Sequence, residues 1–508
     1  MPAARGLPVA SLGDKLGPVK RLPRSEVSLQ RAALLAIAFC FVWVQAVPVA
    51  ARDAVEQGAA DTALRGRLDA ALSAKSLRGA RIAAFVVDAT DGREIYARNA
   101  DQGLVPASNM KVLTALAALR AWGPSHQFTT EVLADREPGG EGTVGTLYVR
   151  GGGDPVLTSE QWWRLAADLW GQGLRRIDAD IVLDDTAFDA VRWHPSWGAV
   201  SARAYHAPLS ALSANYGAFE TWVEPGASAG SPVRVTTDPP LPYLQIVNRA
   251  RTVGRGAALR YHVEPRPGLA HEEVHVTGTL PAGAARQRVL RRISDPTRFA
   301  GAVFRMQLEA VGIKVGGEVR VAPAPAEAVK LRAFRGLSLS EILNRFMKWS
   351  QNGVGETLVK GLALEHGARV GTWPAGTAAA RAELEGLGLS LGSLTMLDGS
   401  GLSYDNRASP RLLVSALRAA QSQFGLGPEF FASLPIAGVD GTLRRRARAA
   451  HGRVRAKTGL LTRVTALTGV AEGPDGQRLL FSVLVNGFRG GARGAMDALD
   501  VFATALTK

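Results

Sequence analysis

The chain has 508 residues, which at roughly 150 residues per domain implies about three domains, or one large domain carrying insertions. Hydrophobic residues make up 46% and charged residues 21%, a globular composition that excludes disorder across the whole chain. Cys40 is the one cysteine, so an intrachain disulfide framework and a cysteine-based zinc site are excluded. Lys+Arg number 60 against 45 Asp+Glu, a formal charge of +15. No repeat of roughly 20–50 residues recurs, which argues against a solenoid.

The start of the chain carries the pattern of an export signal. Arg5, Lys15, Lys20, Arg21, Arg24 and Arg31 outnumber Asp14 and Glu26, then come an apolar run over residues 32–47 and the stretch Pro48-Val49-Ala50-Ala51. A basic leader, an apolar core and small residues at the cut predict a signal peptide over 1–51, cleaved after Ala51, and a periplasmic protein. The rival is an uncleaved membrane anchor. The uninterrupted apolar stretch before Gln45 is about 13 residues, short for a span. Cys40 follows the bulky Phe39 and precedes apolar residues, which does not fit a lipoprotein site.

Leu64, Leu68 and Leu72 repeat at helical spacing and predict a helix over 62–78. Residues 81–88 and 93–97 read as strands around the Asp91-Gly92 turn. A long apolar helix is expected over 109–122. From about 125 to 330 the chain is rich in Gly and Pro, with short β-like runs at 129–135, 144–150, 177–183, 232–237, 244–248, 274–280 and 313–321. One amphipathic helix, 159–171, interrupts them. Helical patterns return at 338–349, 353–366, 374–387 and 409–420. Strands at 464–471 and 478–487, joined by Pro474-Asp475-Gly476, precede a closing helix over 491–506. The terminal pieces, 52–124 and 335–508, thus read as one α/β (α+β) domain. Residues 125–334 read as a β-rich insertion forming one or two further domains.

Chemistry concentrates at three places. Ser108-Asn109-Met110-Lys111 is S-x-x-K at the start of the apolar helix, which puts both side chains on one face, one turn apart. A serine needs an adjacent base to become nucleophilic. A lysine buried beneath an apolar helix loses proton affinity and can be that base. Helix-start N–H groups can hold an oxyanion, although Ser108 alone also suits an N-cap. Ser350-Gln351-Asn352 is S-x-N before a helix, and Lys457-Thr458-Gly459 is K-T-G entering the strand that begins near Val464. Ser213-Ala214-Asn215 also fits S-x-N, but it lies in the β-rich insertion, so Ser350 is preferred. The order S-x-x-K, S-x-N, K-T-G is the signature of penicillin-binding proteins and serine β-lactamases.

Around these motifs the chain resembles the low-molecular-mass class C penicillin-binding proteins, the D-alanyl-D-alanine carboxypeptidase/endopeptidases. The resembling stretches are residues 106–119, 151–158, 184–189, 207–217, 350–360, 398–410, 434–446 and 456–469, nearly the whole of 60–508. The resemblance implies a penicillin-binding, β-lactamase-like catalytic domain: an antiparallel sheet flanked by helices. It implies that Ser108 attacks the penultimate D-Ala carbonyl, Lys111 takes its proton, and Ser350 with Lys457 passes a proton to the leaving amine. Asn352 would orient the donor's amide, while Lys457 and Thr458 hold the leaving carboxylate. Backbone N–H groups of Ser108 and Leu460, beside Gly459, would form the oxyanion hole. Asp185 resembles an acidic residue that meets the free amine of the stem peptide's diamino acid. Leu460 stands where the family often has Ser or Thr, which removes one hydroxyl for the terminal carboxylate. Peptidoglycan stem peptides are the implied substrate, β-lactams the covalent inhibitors, and neither a metal nor an organic cofactor is implied. A β-lactamase or esterase on the same frame, and a penicillin-binding sensor without turnover, are the alternatives.

Other signals are set aside. His271-Glu272-Glu273-Val274-His275 matches a zinc-protease pattern, but its surroundings read as strand, where residues four apart lie about 13 Å from each other. Gly151-Gly152-Gly153 lacks the Gly-Lys-Ser/Thr of a phosphate loop. Trp162, Trp163 and Trp170 predict core packing, and His206 a structural role. Arg444-Arg445-Arg446 with Arg448 comes without a nucleic-acid motif. It predicts a solvated basic face, or attraction to an anionic envelope polymer or membrane surface.

Overall fold

The structure, a computed structural model, describes residues 49–474 and 476–508. Nearly all of the expected leader, Cys40 included, lies outside the described residues. The chain divides into two compact units, Met1–Thr62 and Ala63–Lys508. A helix, Val49–Leu72, opens the described residues. It ends six residues earlier than the pattern predicts, because the buried stripe of Leu64, Leu68 and Leu72 stops there and a short 3-10 turn, Lys75–Leu77, follows.

The central sheet has five antiparallel strands in the order Val454–Leu461, Val464–Glu472, Arg478–Asn486, Arg81–Asp88 and Glu94–Arg98. It joins the two ends of the sequence. Its inner strands are buried along nearly their whole length because both faces are covered, and their few interior polar residues, Thr465, Thr468 and Ser482, are buried with them. Ala83, Phe85 and Val87 point to one core, with the helices Met110–Trp122 and Pro410–Ser422. Ile82, Ala84 and Val86 point to the other, with the closing helix Ala492–Ala505. The period-2 alternation of a strand thus divides one apolar run between two cores.

The first strand of that order corrects the sequence pattern. Lys457-Thr458-Gly459 does not lead into the strand at Val464; it lies inside a strand of its own, Val454–Leu461, and a tight turn pairs Leu461 with Val464. Arg463 takes the left-handed conformation in that turn, φ 58°, with none of the usual Gly or Asn to announce it.

The helices Leu339–Trp349, Asn352–Glu365, Trp373–Glu385 and Pro410–Ser422 fall within about two residues of their expected limits. Gly427–Ser433 is an additional short helix. In the intervening region a five-stranded sheet runs Val319–Val321, Ile181–Asp184, Leu147–Arg150, Gln127–Ala134, Val329–Ser338. It shares a core with two helices, Ser159–Gly171 and Pro296–Ala310. The second of these was not expected. Its start signals are present, Asp295 accepting from the Arg298 N–H at 3.0 Å with Pro296 in the first turn, but Gly- and Pro-rich surroundings masked them. The strands Ala218–Glu224, Arg260–Pro267 and Gln287–Arg292 are also new, each alternating more and less buried residues under charged outer faces.

His275 lies in the strand Glu272–Pro281, as its surroundings predict. The tryptophan cluster is a correction: Trp162 is fully buried against Phe304, whereas Trp163 and Trp170 are about half exposed. Adjacent helical residues point about 100° apart, so Trp162 and Trp163 cannot both face one core. Arg446 is likewise no part of a free basic face, since it is clamped to Asp500 at 2.8 Å.

Candidate active site

Ser108 occupies a one-turn 3-10 helix, Ala107–Asn109, that runs directly into Met110–Trp122. Its N–H stands at a helix start and has no intrahelical acceptor. Ala107 is held at φ 47°, a conformation costly for any residue with a side chain. Every residue from Met110 to Leu119 is buried, so the helix passes through the core and carries Lys111 with it.

Lys111 is fully buried, and its Nζ donates to Ser108 Oγ at 3.0 Å, Asn352 Oδ1 at 2.7 Å and the Ser400 carbonyl at 2.8 Å. Those three contacts use all three donors of an ammonium. In the neutral amine two suffice, and the lone pair is left facing the serine hydroxyl. Burial pushes the Lys111 pKa down from 10.5 to about 7, opposed by the negative charges of Glu356 and Asp398.

The second pair comes from two other elements. Ser350 caps the helix Leu339–Trp349 in the left-handed conformation, φ 58°, and Asn352 starts the next helix. The break between the helices turns both side chains into the site. Lys457 Nζ, fully buried, donates to Ser350 Oγ at 2.9 Å and to the Thr458 carbonyl at 2.8 Å. Burial, with the positive Lys111 nearby, holds its pKa well below that of an ordinary lysine. Asn352 Nδ2 donates to the Tyr205 carbonyl at 3.0 Å. Thr458 Oγ1 donates to Thr442 Oγ1 at 2.8 Å.

Gly459 is required by close approach. A Cβ there would stand 2.9 Å from the Pro106 carbonyl oxygen, so a side chain would push the strand off the turn that carries Ser108. Leu460 follows with its side chain half exposed. The structure therefore gathers Ser108, Lys111, Asn352, Ser350, Lys457, Thr458, Gly459 and Leu460 from three separate segments.

It places Asp185 otherwise. Asp185 Oδ2 accepts from Arg192 at 2.7 Å, Ser210 at 3.0 Å and Thr297 at 2.6 Å, and these bonds hold its pKa below the usual carboxylate value against the opposing effect of burial. None of these partners belongs to the serine–lysine cluster. Ser213-Ala214-Asn215 proves structural: Asn215 exchanges hydrogen bonds with Ser159, 2.8 Å and 2.9 Å, at the start of the helix Ser159–Gly171. His206 accepts from the Ser201 N–H at 2.8 Å.

Several site residues escape motif reading. Asp398 is fully buried and accepts from the N–H groups of Gly401 and Ser403, from Asn406 and from Trp197, all between 2.7 and 2.8 Å. It thereby shapes the loop that presents the Ser400 carbonyl. A Cβ on Gly401 would fall 1.9 Å from the Ala107 carbonyl oxygen, so this loop backs directly onto the turn that carries Ser108. Glu356, equally buried, receives the N–H groups of Gly399 and Ser400. The Asp398-Gly399-Ser400-Gly401 run was the available signal, but it carries no chemistry of its own, only geometry.

An antiparallel sheet between helices, with a serine and a buried lysine at the start of the central helix, defines a penicillin-binding, β-lactamase-like fold. The chain belongs to the D-Ala-D-Ala carboxypeptidase 3 (S13) family, whose model matches residues 64–506. It is 40% identical over 464 residues to a D-alanyl-D-alanine carboxypeptidase of Actinomadura sp. (strain R39), covering 87% of this chain and 85% of that protein. It is 26% identical over 431 residues to D-alanyl-D-alanine carboxypeptidase DacB of Haemophilus influenzae, covering 83% and 88%. The crystal structure of penicillin binding protein 4 (dacB) from Haemophilus influenzae matches with a TM-score of 0.75 at 25% identity, over 86% of this chain and 98% of that one.

Proposed function

We propose that this protein is an exported serine DD-peptidase that cleaves D-Ala-D-Ala termini, and D-Ala–diamino-acid cross-links, of peptidoglycan through an acyl-enzyme on Ser108. The observation that carries this reading is the fully buried Lys111 amine at 3.0 Å from Ser108 Oγ. In acylation, Ser108 Oγ bonds to the penultimate D-Ala carbonyl carbon while its proton moves to Lys111 Nζ. The developing oxyanion takes the N–H groups of Ser108 and Leu460. Ser350, held by Lys457, returns a proton to the departing amine, and the peptide bond breaks. Water then releases the acyl group. Thr458 and Lys457 hold the leaving carboxylate. A role for Asp185 toward the stem peptide's free amine falls to Oδ1, since Arg192, Ser210 and Thr297 occupy Oδ2.

The sequence division stands as part of this proposal: a leader over 1–51, a catalytic domain from 52–124 and 335–508, and inserted domains over 125–334. Among the described residues no helix is long and apolar enough to cross a membrane. The positive charge suits attraction to an anionic envelope polymer or membrane surface.

A paired assay tests the reading: labelling with a fluorescent penicillin, then release of D-Ala from a D-Ala-D-Ala peptide. Stable label with release is expected. Rapid loss of label indicates a β-lactamase, and label without release a sensor. The pH dependence is a further expectation. Lys111 works as a base only when neutral, so the acylation rate rises with pH through about 7 and then levels off, where an ordinary lysine would place the rise near 10.5. Stopped-flow acylation across that range reads it. A Leu460→Thr change restores a hydroxyl for the terminal carboxylate. Carboxypeptidase kcat/KM then increases by up to about 1.5–3 kcal/mol in transition-state free energy, and an unchanged value rejects the idea.

A further inference from the structure

Lys111 is aimed at Ser108 by two other acceptors, Asn352 Oδ1 and the Ser400 carbonyl. Asn352 sits on a helix. Ser400 sits on a loop, and a loop carbonyl aims an amine only if something fixes the loop. Asp398 holds the far side of that loop, and Glu356 holds the Ser400 peptide itself: its Oε1 accepts from the Ser400 N–H at 2.8 Å and Oε2 from the Gly399 N–H at 3.0 Å. Trp373 Nε1 donates to the same Oε2 at 2.8 Å. Glu356 lies four residues after Asn352, so one helix face supplies both supports of the Lys111 amine. Glu356 is fully buried and has no ion pair within contact distance among the described residues. An unpaired buried carboxylate is an expensive way merely to hold a loop.

The groups around it suggest what else the charge does. The Lys111 amine meets the charges of Glu356 from the helix Asn352–Glu365, Asp398 from the following loop and Lys457 from the sheet. Glu356 in turn feels Asp398 and acts on Lys360, and both Asp398 and Lys360 act on His194. Of the two anions, Asp398 is engaged by three donors in its own loop and by the Trp197 indole. Burial raises the Glu356 pKa to about 7, and the Glu356 charge raises that of Lys111 against the larger lowering effect of burial.

We propose that Glu356 is a positioning residue for acylation: it fixes the Ser400 carbonyl that turns the Lys111 amine toward Ser108, and its carboxylate balances the charge that amine gains on taking the serine proton. This rests on the acyl-enzyme reading above. It is tested on the full chain by the second-order rate of acylation with a fluorescent penicillin as a function of pH, for the wild type, Glu356→Gln and Glu356→Asp. Gln keeps the volume and removes the charge. Acylation slows by roughly tenfold or more. Its rising limb moves about one pH unit to the acid side, because an amine without a neighbouring anion binds its proton less tightly. Asp keeps the charge on a shorter arm: the limb stays at the wild-type pH while the rate falls.

A Gln variant whose limb coincides with that of the wild type overturns the proposal, whatever its rate, because a loop support alone does not move a titration. If Glu356→Gln does not give a cooperative melt, Glu356→Asp decides. Slow acylation with an unmoved limb supports the assignment; a displaced limb, or a wild-type rate throughout, overturns it. A wild type that takes no label at Ser108 brings down the acyl-enzyme reading beneath it. A labelled wild type beside an unmoved Gln limb removes the role of Glu356 alone.

Discussion

Replacing Lys111 by methionine is expected to slow acylation by penicillin and by D-Ala-D-Ala peptide alike, by about 10²–10⁴-fold, while the protein still folds. Methionine matches the length of the lysine stem and suits a position with no exposure. It removes the lone pair that faces Ser108 Oγ and leaves the hydroxyl without a base. Lys457 does not substitute for it, since its Nζ already donates to Ser350 Oγ and to the Thr458 carbonyl. The measurement is the second-order labelling rate, with a melting curve as the control for folding. A variant that acylates within a few-fold of the wild type would show that the 3.0 Å contact has no part in the chemistry.

Asp398→Ala is expected to have the largest effect on stability. The carboxylate accepts from two backbone N–H groups, the Asn406 amide and the Trp197 indole, and removing it leaves three buried donors and the partly buried indole without an acceptor. Each stranded donor costs about 1–3 kcal/mol, so a loss of several kcal/mol is expected even when water replaces some partners. The loss reaches the site, because the freed loop carries the Ser400 carbonyl to which Lys111 donates. Denaturant unfolding read beside the acylation rate checks both effects. A wild-type midpoint with wild-type acylation would mean that the loop holds its shape without Asp398.

The three motifs were legible because their spacing is local. One turn separates Ser108 from Lys111 on one helix face, and a single residue separates Ser350 from Asn352, so sequence alone keeps each pair together. The helices of the catalytic region were equally plain, with capping residues such as Thr372 and Ser409 at their starts. The strand Val454–Leu461 was hidden because Arg455, Lys457 and Thr458 interrupt its apolar run. Pro296–Ala310 was obscured by the Gly- and Pro-rich texture around it, although Asp295 and Pro296 mark its start. Glu356 and Asp398 were illegible for a different reason. Their work is to accept N–H groups from a loop whose path only the folded chain defines. Asp185 was legible only through resemblance, and the partners of its Oδ2, Arg192, Ser210 and Thr297, come from three places in the chain that no motif links.

The most direct measurement is to incubate the protein with a penicillin, digest it, and locate the added mass by tandem mass spectrometry. One adduct per chain on the Ser108 hydroxyl, absent from Ser108→Ala, is the result this account predicts. An adduct on any other residue, or an unmodified Ser108 in protein that releases D-Ala, would contradict it.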